Sequence, residues 1–432
     1  MRSIGYGRPV PLELRTSPRS AAALCALALA AGLMCADTAT AVSPDRAARK
    51  AATAAAPRPS STPVRQPPAG MSGYGGARLG LSGVQVDPMA GAPAVPPNIS
   101  ALSWMVSDPD TGRVLAAKNP HWALPPASTL KTLFADTVLP KIPTGSTHKV
   151  LDSDLAGMGS GSSMVGVLPG HTYKVTDLWL GVFLRSGNDA VHVLAAMNGG
   201  VAETVRQMQA RAVELGAGDT HVVSPDGYDM PGQVSSAFDL SLFARDGLKN
   251  ADFARYCSTF KSEFPGGPYT KNKPFEIDNT DRMLGGIDGV PRYPGLIGVK
   301  NGYTTNAGNT LVVAAKRDGR TVLVTVMNPQ DHATNAVYTE ARELLDWGFA
   351  ATGKVNPIGS MDAATATGTD QSAPAAPHAG AARPPQNAAA DSGGMGALGW
   401  GGLVLAGLVA VGGGVLLGRR RRVVRQLTDP LD

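Results

Sequence analysis

Three short groups of residues carry chemical promise. Ser128-Thr129-Leu130-Lys131 follows Pro125-Pro126-Ala127. A serine hydroxyl is a poor nucleophile at its free pKa and needs a base beside it. At the start of a helix, positions i and i+3 share a face about 5–6 Å apart, so Lys131 reaches the Ser128 oxygen. The helix start also offers unpaired N–H groups and a positive dipole end to a developing oxyanion. Lysine is a base only when neutral, so burial or a second cation must hold its pKa down. Ser186-Gly187-Asn188 stands between two apolar helical stretches. On a turn its hydroxyl and amide point into one cleft, the first to relay a proton and the second to hold a substrate amide. Lys300-Asn301-Gly302-Tyr303-Thr304 ends an apolar run. On an extended strand Lys300, Gly302 and Thr304 share a side, which suits an anionic, extended substrate lying alongside. Gly302 permits close backbone approach.

Each group is weak alone. Ser146…Lys149 and Ser258…Lys261 also fit serine-x-x-lysine, Asn188 is a reasonable helix cap, and lysine-asparagine-glycine is first a hairpin signal. The elements that carry the groups must decide. Leu102, Trp104 and Val106 alternate with Ser103, Met105 and Ser107, the period of a strand. Asp108-Pro109-Asp110-Thr111-Gly112 is a turn, and Arg113–Ala117 returns as a second strand. A helix begins near Ser128. The middle reads as helices over Asp177–Arg185, Asn188–Met197, Glu203–Leu215 and Ala237–Lys249. Strands follow at Leu296–Thr304, Thr310–Lys316 and Thr321–Met327, the last two joined by Arg317-Asp318-Gly319-Arg320, and a helix over Ala333–Phe349 closes the pattern. Strands at both ends and helices between predict an α/β fold, with one sheet built from both termini and a helical lobe inserted.

The 432 residues are 43% hydrophobic, with 52 Gly and 34 Pro spread unevenly, which excludes both a wholly disordered chain and one globule over the full length. The net charge of +5 sits at the ends, because residues 42–394 hold 30 basic and 30 acidic residues. Charge therefore gives no support to a nucleic-acid-binding surface. Residues 1–41 have scattered arginines, an apolar run from Ala21 to Ala36 and Ala39-Thr40-Ala41, the order of a secretory signal peptide. Residues 395–418 are uncharged and long enough to span a bilayer. Five arginines in the tail 419–432 hold that end in the cytoplasm. Residues 42–97 and 353–394, rich in Ala, Pro and Gly, read as linkers around a domain at 98–352. The expected location is the bacterial cell membrane, single-pass, with the domain outside.

Once Cys25 and Cys35 leave with the signal peptide, Cys257 is the remaining thiol, so neither a disulfide nor a cysteine metal site is expected. Cys257 reads as a small buried side chain. His192 falls in an apolar helical pattern and reads as packed. His121, His148, His171, His221, His332 and His378 show no metal-ligand spacing, and no glycine-rich phosphate loop is present. No metal or cofactor is expected.

Serine-x-x-lysine, serine-x-asparagine and lysine-x-glycine in that order, on helix start, helix–helix turn and strand, mark penicillin-interacting serine enzymes. The sequence resembles the low-molecular-mass penicillin-binding proteins that act as D-alanyl-D-alanine carboxypeptidases, the S11 type. The likeness covers most of 100–350 and extends to Ser224-Pro225-Asp226-Gly227-Tyr228-Asp229, Ser235-Ser236-Ala237 and Gly298-Val299-Lys300. It implies an α/β (α+β), β-lactamase/transpeptidase-like fold with an antiparallel sheet flanked by helices. It implies Ser128 as acylated nucleophile, Lys131 as its proton acceptor and Ser186 as relay to the departing D-alanine amine. Asn188, Lys300, Asn301 and Thr304 would hold substrate, and the backbone N–H groups of Ser128 and Tyr303 would form the oxyanion hole. The implied partners are the peptidoglycan stem peptide and, as covalent inhibitors, β-lactams.

Two departures stand out. Asn301 replaces the family's usual threonine, and the short, low-complexity stretch 353–394 leads to the expectation that the β-rich C-terminal domain of many relatives is absent. Rival readings on the same scaffold are a DD-endopeptidase, a non-catalytic wall-binding protein and a class A β-lactamase. The last needs a glutamate between the second and third motifs. Glu203, Glu214, Glu263 and Glu276 lie there, none in a Glu-x-x-Leu-Asn context.

Overall fold

Alternation decides the sheet. Residues of β2 (Ser103–Ser107) are all buried, and they divide between two cores. Met105 faces a large core of helices, whereas Trp104 and Val106 face a smaller one on the other side. A strand buried on both faces needs a layer on each, so the sheet is sandwiched. The structure, a computed structural model, describes residues 66–362, and of these 67–362 pack as one unit.

In chain order the elements begin with β1 (Val84–Pro88), β2, β3 (Arg113–Lys118), a 3-10 turn over Ala127–Leu130 and α1 (Lys131–Val138). A small ribbon of β4 (Thr147–Lys149) and β5 (Thr172–Lys174) precedes α2 (Val175–Arg185), α3 (Asn188–Met197) and α4 (Val201–Glu214). Then come α5 (Ala237–Gly247), α6 (Ala251–Ser258), the hairpin β6 (Lys261–Phe264) and β7 (Phe275–Asp278), and the short α7 (Arg282–Gly285). The chain returns to the sheet with β8 (Leu296–Thr304), β9 (Gly308–Arg317) and β10 (Arg320–Met327). It closes with α8 (Ala336–Ala351), β11 (Val355–Asn356) and β12 (Gly359–Ser360).

The sheet order is β11-β1-β3-β2-β10-β9-β8, with β12 on β3. Every pairing is antiparallel. β9 and β10 join through Asp318 and Gly319, both at positive φ, the aspartate-glycine turn whose twist matches a hairpin. The sheet is therefore built from both ends of the domain, with the helical lobe from α1 to α6 inserted, as the periodicity predicts. α8 covers one face through Leu344 and Leu345 against Val313, Val322 and Val324. α1, α2 and α5 fill the other through Phe134, Trp179, Phe183 and Phe243, with Leu194 of α3. Full burial of one such aromatic stabilises by about 1.5–3 kcal/mol.

The linker boundaries need correction. The fold extends beyond 98–352 at both ends, since β1 lies in the stretch read as 42–97 and β11 and β12 in that read as 353–394. These strands are two to five residues long in Ala/Pro/Gly-rich sequence, so no periodicity betrays them. They are held by backbone pairing, Val86 to Ala116 and Gly359 to Val114. Trp347 Nε1 adds a bond to Pro93 O at 3.1 Å. The stretches expected to be a signal peptide (1–41), a membrane span (395–418) and a cytoplasmic tail (419–432) lie outside the described residues. Among the described residues, no helix is long and apolar enough to cross a membrane.

Candidate active site

Ser128 sits in the 3-10 turn that leads into α1, and its backbone is pinned by two glycines. A Cβ on Gly227, at φ +78°, would lie 2.0 Å from Ala127 O, and one on Gly302 would lie 2.8 Å from Ser128 N. Only hydrogens there let the loop 224–229 and strand β8 press on the turn from both sides. Ala127 itself takes a positive φ of 50°. Such a conformation costs about 1–3 kcal/mol and persists where its surroundings fix it. Pro126 O is fixed by Thr129 Oγ1 (2.5 Å) and Thr310 Oγ1 (3.0 Å).

Lys131 opens α1 and is 1% exposed. Its Nζ lies 2.7 Å from Ser128 Oγ, 2.8 Å from Asn188 Oδ1 and 2.6 Å from Asp226 O. The last two can only accept. They fix two N–H groups of a neutral amine and leave its lone pair facing the Ser128 hydroxyl. Burial pushes the Lys131 ammonium down to about 8, against the Asp226 and Asp189 carboxylates, which favour the charged form.

Ser186 caps α2 in the left-handed conformation, φ 55° and ψ 30°. Its Oγ is buried and has no hydrogen-bond partner among the described residues. A buried hydroxyl without a protein partner calls for an explanation, and a bound ligand would supply one. Asn188 begins α3, with Oδ1 on Lys131 and Nδ2 on Ser162 Oγ at 3.0 Å. Asp189, next in line, accepts from Val165, Gly166 and Val167 N–H at 2.8–3.0 Å and so shapes the wall above Asn188.

Lys300, on β8, is 1% exposed, and its Nζ donates to Asn301 O (2.8 Å) and Asn301 Oδ1 (3.0 Å). Burial, then the charge of Lys131, pushes it down to about 7, while Asp281 opposes. A proton on either lysine therefore disfavours one on the other.

Two expected substrate ligands are otherwise engaged. Asn301 accepts from Thr280 Oγ1 (3.0 Å) and donates to Thr280 O (3.1 Å), so its amide stitches β8 to the loop before α7. Thr304 Oγ1 donates to Asp229 Oδ1 at 2.7 Å and ties the strand's end to the loop 224–229. Both side chains, expected to hold substrate, also have these structural partners, and each still lines a cavity beside Tyr303. Tyr303 is 69% exposed and stands between two cavities. One, of about 280 Å³, holds Ser128, Asn188, Ser162, Tyr228 and Thr304. The other, of about 740 Å³, holds Asn301, Gly302, Arg185 and Arg282.

Sequence reasoning missed Asp226 as a participant. Its backbone carbonyl, not a side chain, meets Lys131, and the turn motif Ser-Pro-Asp-Gly was the available signal. His192, read as packed, is buried but also reaches Asp226 Oδ2 at 3.4 Å and Ala156 O at 3.2 Å. His121, Asp219 and Asp239 also converge, though both His121 nitrogens are occupied, by Asp219 Oδ2 (2.6 Å) and Tyr74 O (3.0 Å). The decoys are elsewhere. Ser258 Oγ bonds Ala254 O, and Lys261 pairs with Glu276 on the β6–β7 hairpin. None of Glu203, Glu214, Glu263 and Glu276 lines the cavity at Ser128.

A serine hydroxyl against a buried lysine amine, facing a serine-glycine-asparagine turn and an edge strand, is the arrangement of the penicillin-interacting serine enzymes. The profile of the D-alanyl-D-alanine carboxypeptidases, peptidase S11, matches residues 90–331. The chain belongs to that family and is a serine-type D-alanyl-D-alanine carboxypeptidase. It is 38% identical over 268 residues to the D-alanyl-D-alanine carboxypeptidase DacB2 of Mycobacterium tuberculosis, covering 61% of this chain and 86% of that one. It is 30% identical to DacF of Bacillus subtilis, covering 58% of this chain and 62% of that one. A crystal structure of a D-alanyl-D-alanine carboxypeptidase from Mycobacterium tuberculosis H37Rv is similar, with a TM-score of 0.57 and 37% identity. That likeness covers 64% of this chain and all of the other.

Proposed function

We propose that Ser128 is the nucleophile and Lys131 the base that takes its proton. The observation that carries this is the Lys131 Nζ geometry, two fixed carbonyl acceptors and one position open to Ser128 Oγ. Ser128 Oγ attacks the carbonyl of the penultimate D-alanine of a stem pentapeptide, and its proton passes to Lys131. The oxyanion is held by the backbone N–H groups of Ser128 and Tyr303. As the C–N bond breaks, the D-alanine amine takes a proton through the unpartnered Ser186 hydroxyl. Water then attacks the acyl-enzyme and gives a proton to Lys131, which passes it to Ser128 Oγ as the ester C–O bond breaks and the shortened peptide leaves with a free carboxylate. Asn188 exchanges its bond to Lys131 or Ser162 for the substrate backbone, and the terminal carboxylate draws the proton shared by the coupled lysine pair onto buried Lys300, which leaves Lys131 neutral.

The same reading places the enzyme on the outer face of a bacterial cell membrane, exported by residues 1–41 and tethered through 395–418. It is supported by the apolar run and the arginines that follow it.

Labelling with a fluorescent penicillin tests the chemistry. Ser128→Ala should abolish the covalent band, while Ser146→Ala and Ser258→Ala should retain it. Loss of the band in a folded decoy variant would overturn the assignment. Protease added to wall-less cells should release the domain; protection would overturn the topology.

A further inference from the structure

A carboxypeptidase must recognise a free terminal carboxylate, and the obvious ligands in this cleft are taken. Lys300 is buried with its N–H groups on Asn301. Asn301 is held by Thr280, and Thr304 by Asp229. Arg282 is tied to Asp288 (3.2 Å) and to Asn335. Arg185 differs. It is exposed and lines the larger cavity with Gly302 and Tyr303. It has no hydrogen bond or ion pair among the described residues.

We propose that Arg185 is a specificity-determining residue whose guanidinium binds the free C-terminal carboxylate of the substrate. A second relationship supports this. In the departing D-alanine the amine and the carboxylate hang from one Cα, so the groups serving them must be neighbours. Ser186, with its unpartnered hydroxyl, directly follows Arg185. The planar fork of a guanidinium also matches a carboxylate with two parallel bonds, whereas a buried lysine acts as a point charge. The inference rests on the reading of Ser128 as nucleophile and Ser186 as relay. Arg185 at a helix C-terminus also favours the helix dipole, but that role would affect stability and not substrate selection.

The test uses Arg185→Gln and Arg185→Lys in the full chain, with a pentapeptide ending in D-Ala-D-Ala. The Gln variant should raise KM and lower kcat/KM about 10- to 100-fold, the loss of one charge-assisted contact. The Lys variant should recover part of that loss, and melting temperatures should stay together. A Gln variant within twofold of wild type, or Gln and Lys variants equally impaired, would overturn the proposal. A wild-type chain that forms no acyl-enzyme at Ser128 would instead overturn the catalytic assignment, and the Arg185 comparison would then be read from the dissociation constant of the pentapeptide.

Discussion

Asp226 meets Lys131 with its backbone carbonyl, 2.6 Å from Nζ, and turns its carboxylate the other way, to His192 Nε2 at 3.4 Å. One residue thus orients the base by its main chain and biases its charge by its side chain. The carboxylate is held at about 2, against the cost of burial, by His192, Lys131, Tyr228 N–H and Ser224. It is ionised throughout the working range and favours protonated Lys131.

Asp226→Asn should therefore lower the Lys131 pKa further. The neutral amide keeps the carbonyl contact but removes the charge that stabilises the ammonium. The rising limb of the acylation rate against pH should move to lower pH. A limb that stays in place or moves up would refute the role.

The two buried lysines also set how stability depends on pH. In the native chain they hold protons only up to about 8 and about 7, against 10.5 for a free lysine. Between those values the unfolded chain binds more protons, so unfolding takes up protons and stability rises with pH. This contribution is full above 10.5 and is lost as pH falls through 8 and 7. From about pH 7 to 10 the melting temperature of wild type should climb relative to that of a Lys131→Met, Lys300→Met double variant. Parallel curves would contradict it.

Ser186→Ala removes an unpartnered hydroxyl and should not unfold the protein. Single-turnover release of D-alanine should slow by about 10²- to 10⁴-fold, the range for a positioned proton relay. Unchanged release would exclude Ser186 from proton transfer.

Gly227→Ala should damage the site without touching a reactive group. The new Cβ would meet Ala127 O at 2.0 Å and must adopt a φ of +78°. The expected cost is about 1–3 kcal/mol from the backbone alone, with a lower melting temperature and weaker penicillin labelling. A variant as stable as wild type would show that loop 224–229 does not press on the Ser128 turn.

Legibility followed the range of the signal. Ser128 with Lys131, and Ser186 with Asn188, were readable because local helix geometry joins residues two or three apart. β9 and β10 were readable because a strand buried on both faces is apolar without break and an aspartate-glycine pair joins them. The partners of Asn301 and Thr304 were not readable. Thr280 and Asp229 lie 21 and 75 residues away, on loops without periodicity. Asp226 escaped because a backbone carbonyl has no residue type. β1, β11 and β12 escaped because strands this short depend on the sheet they join.

Ser360 N–H donates to Gly75 O at 2.7 Å, so the segments that flank the domain meet beside β3 and β1. Strand β8 lies four strands from β3 in the sheet order, roughly 19 Å at the usual strand spacing. Tension drawn through the two flanks would load β1, β11 and β12 first and peel them as a zipper. The long hairpins β8–β9–β10, which carry Lys300 and press on Ser128, would bear none of it until those short strands had gone. By this topology, a load applied through the flanks would reach the cleft last.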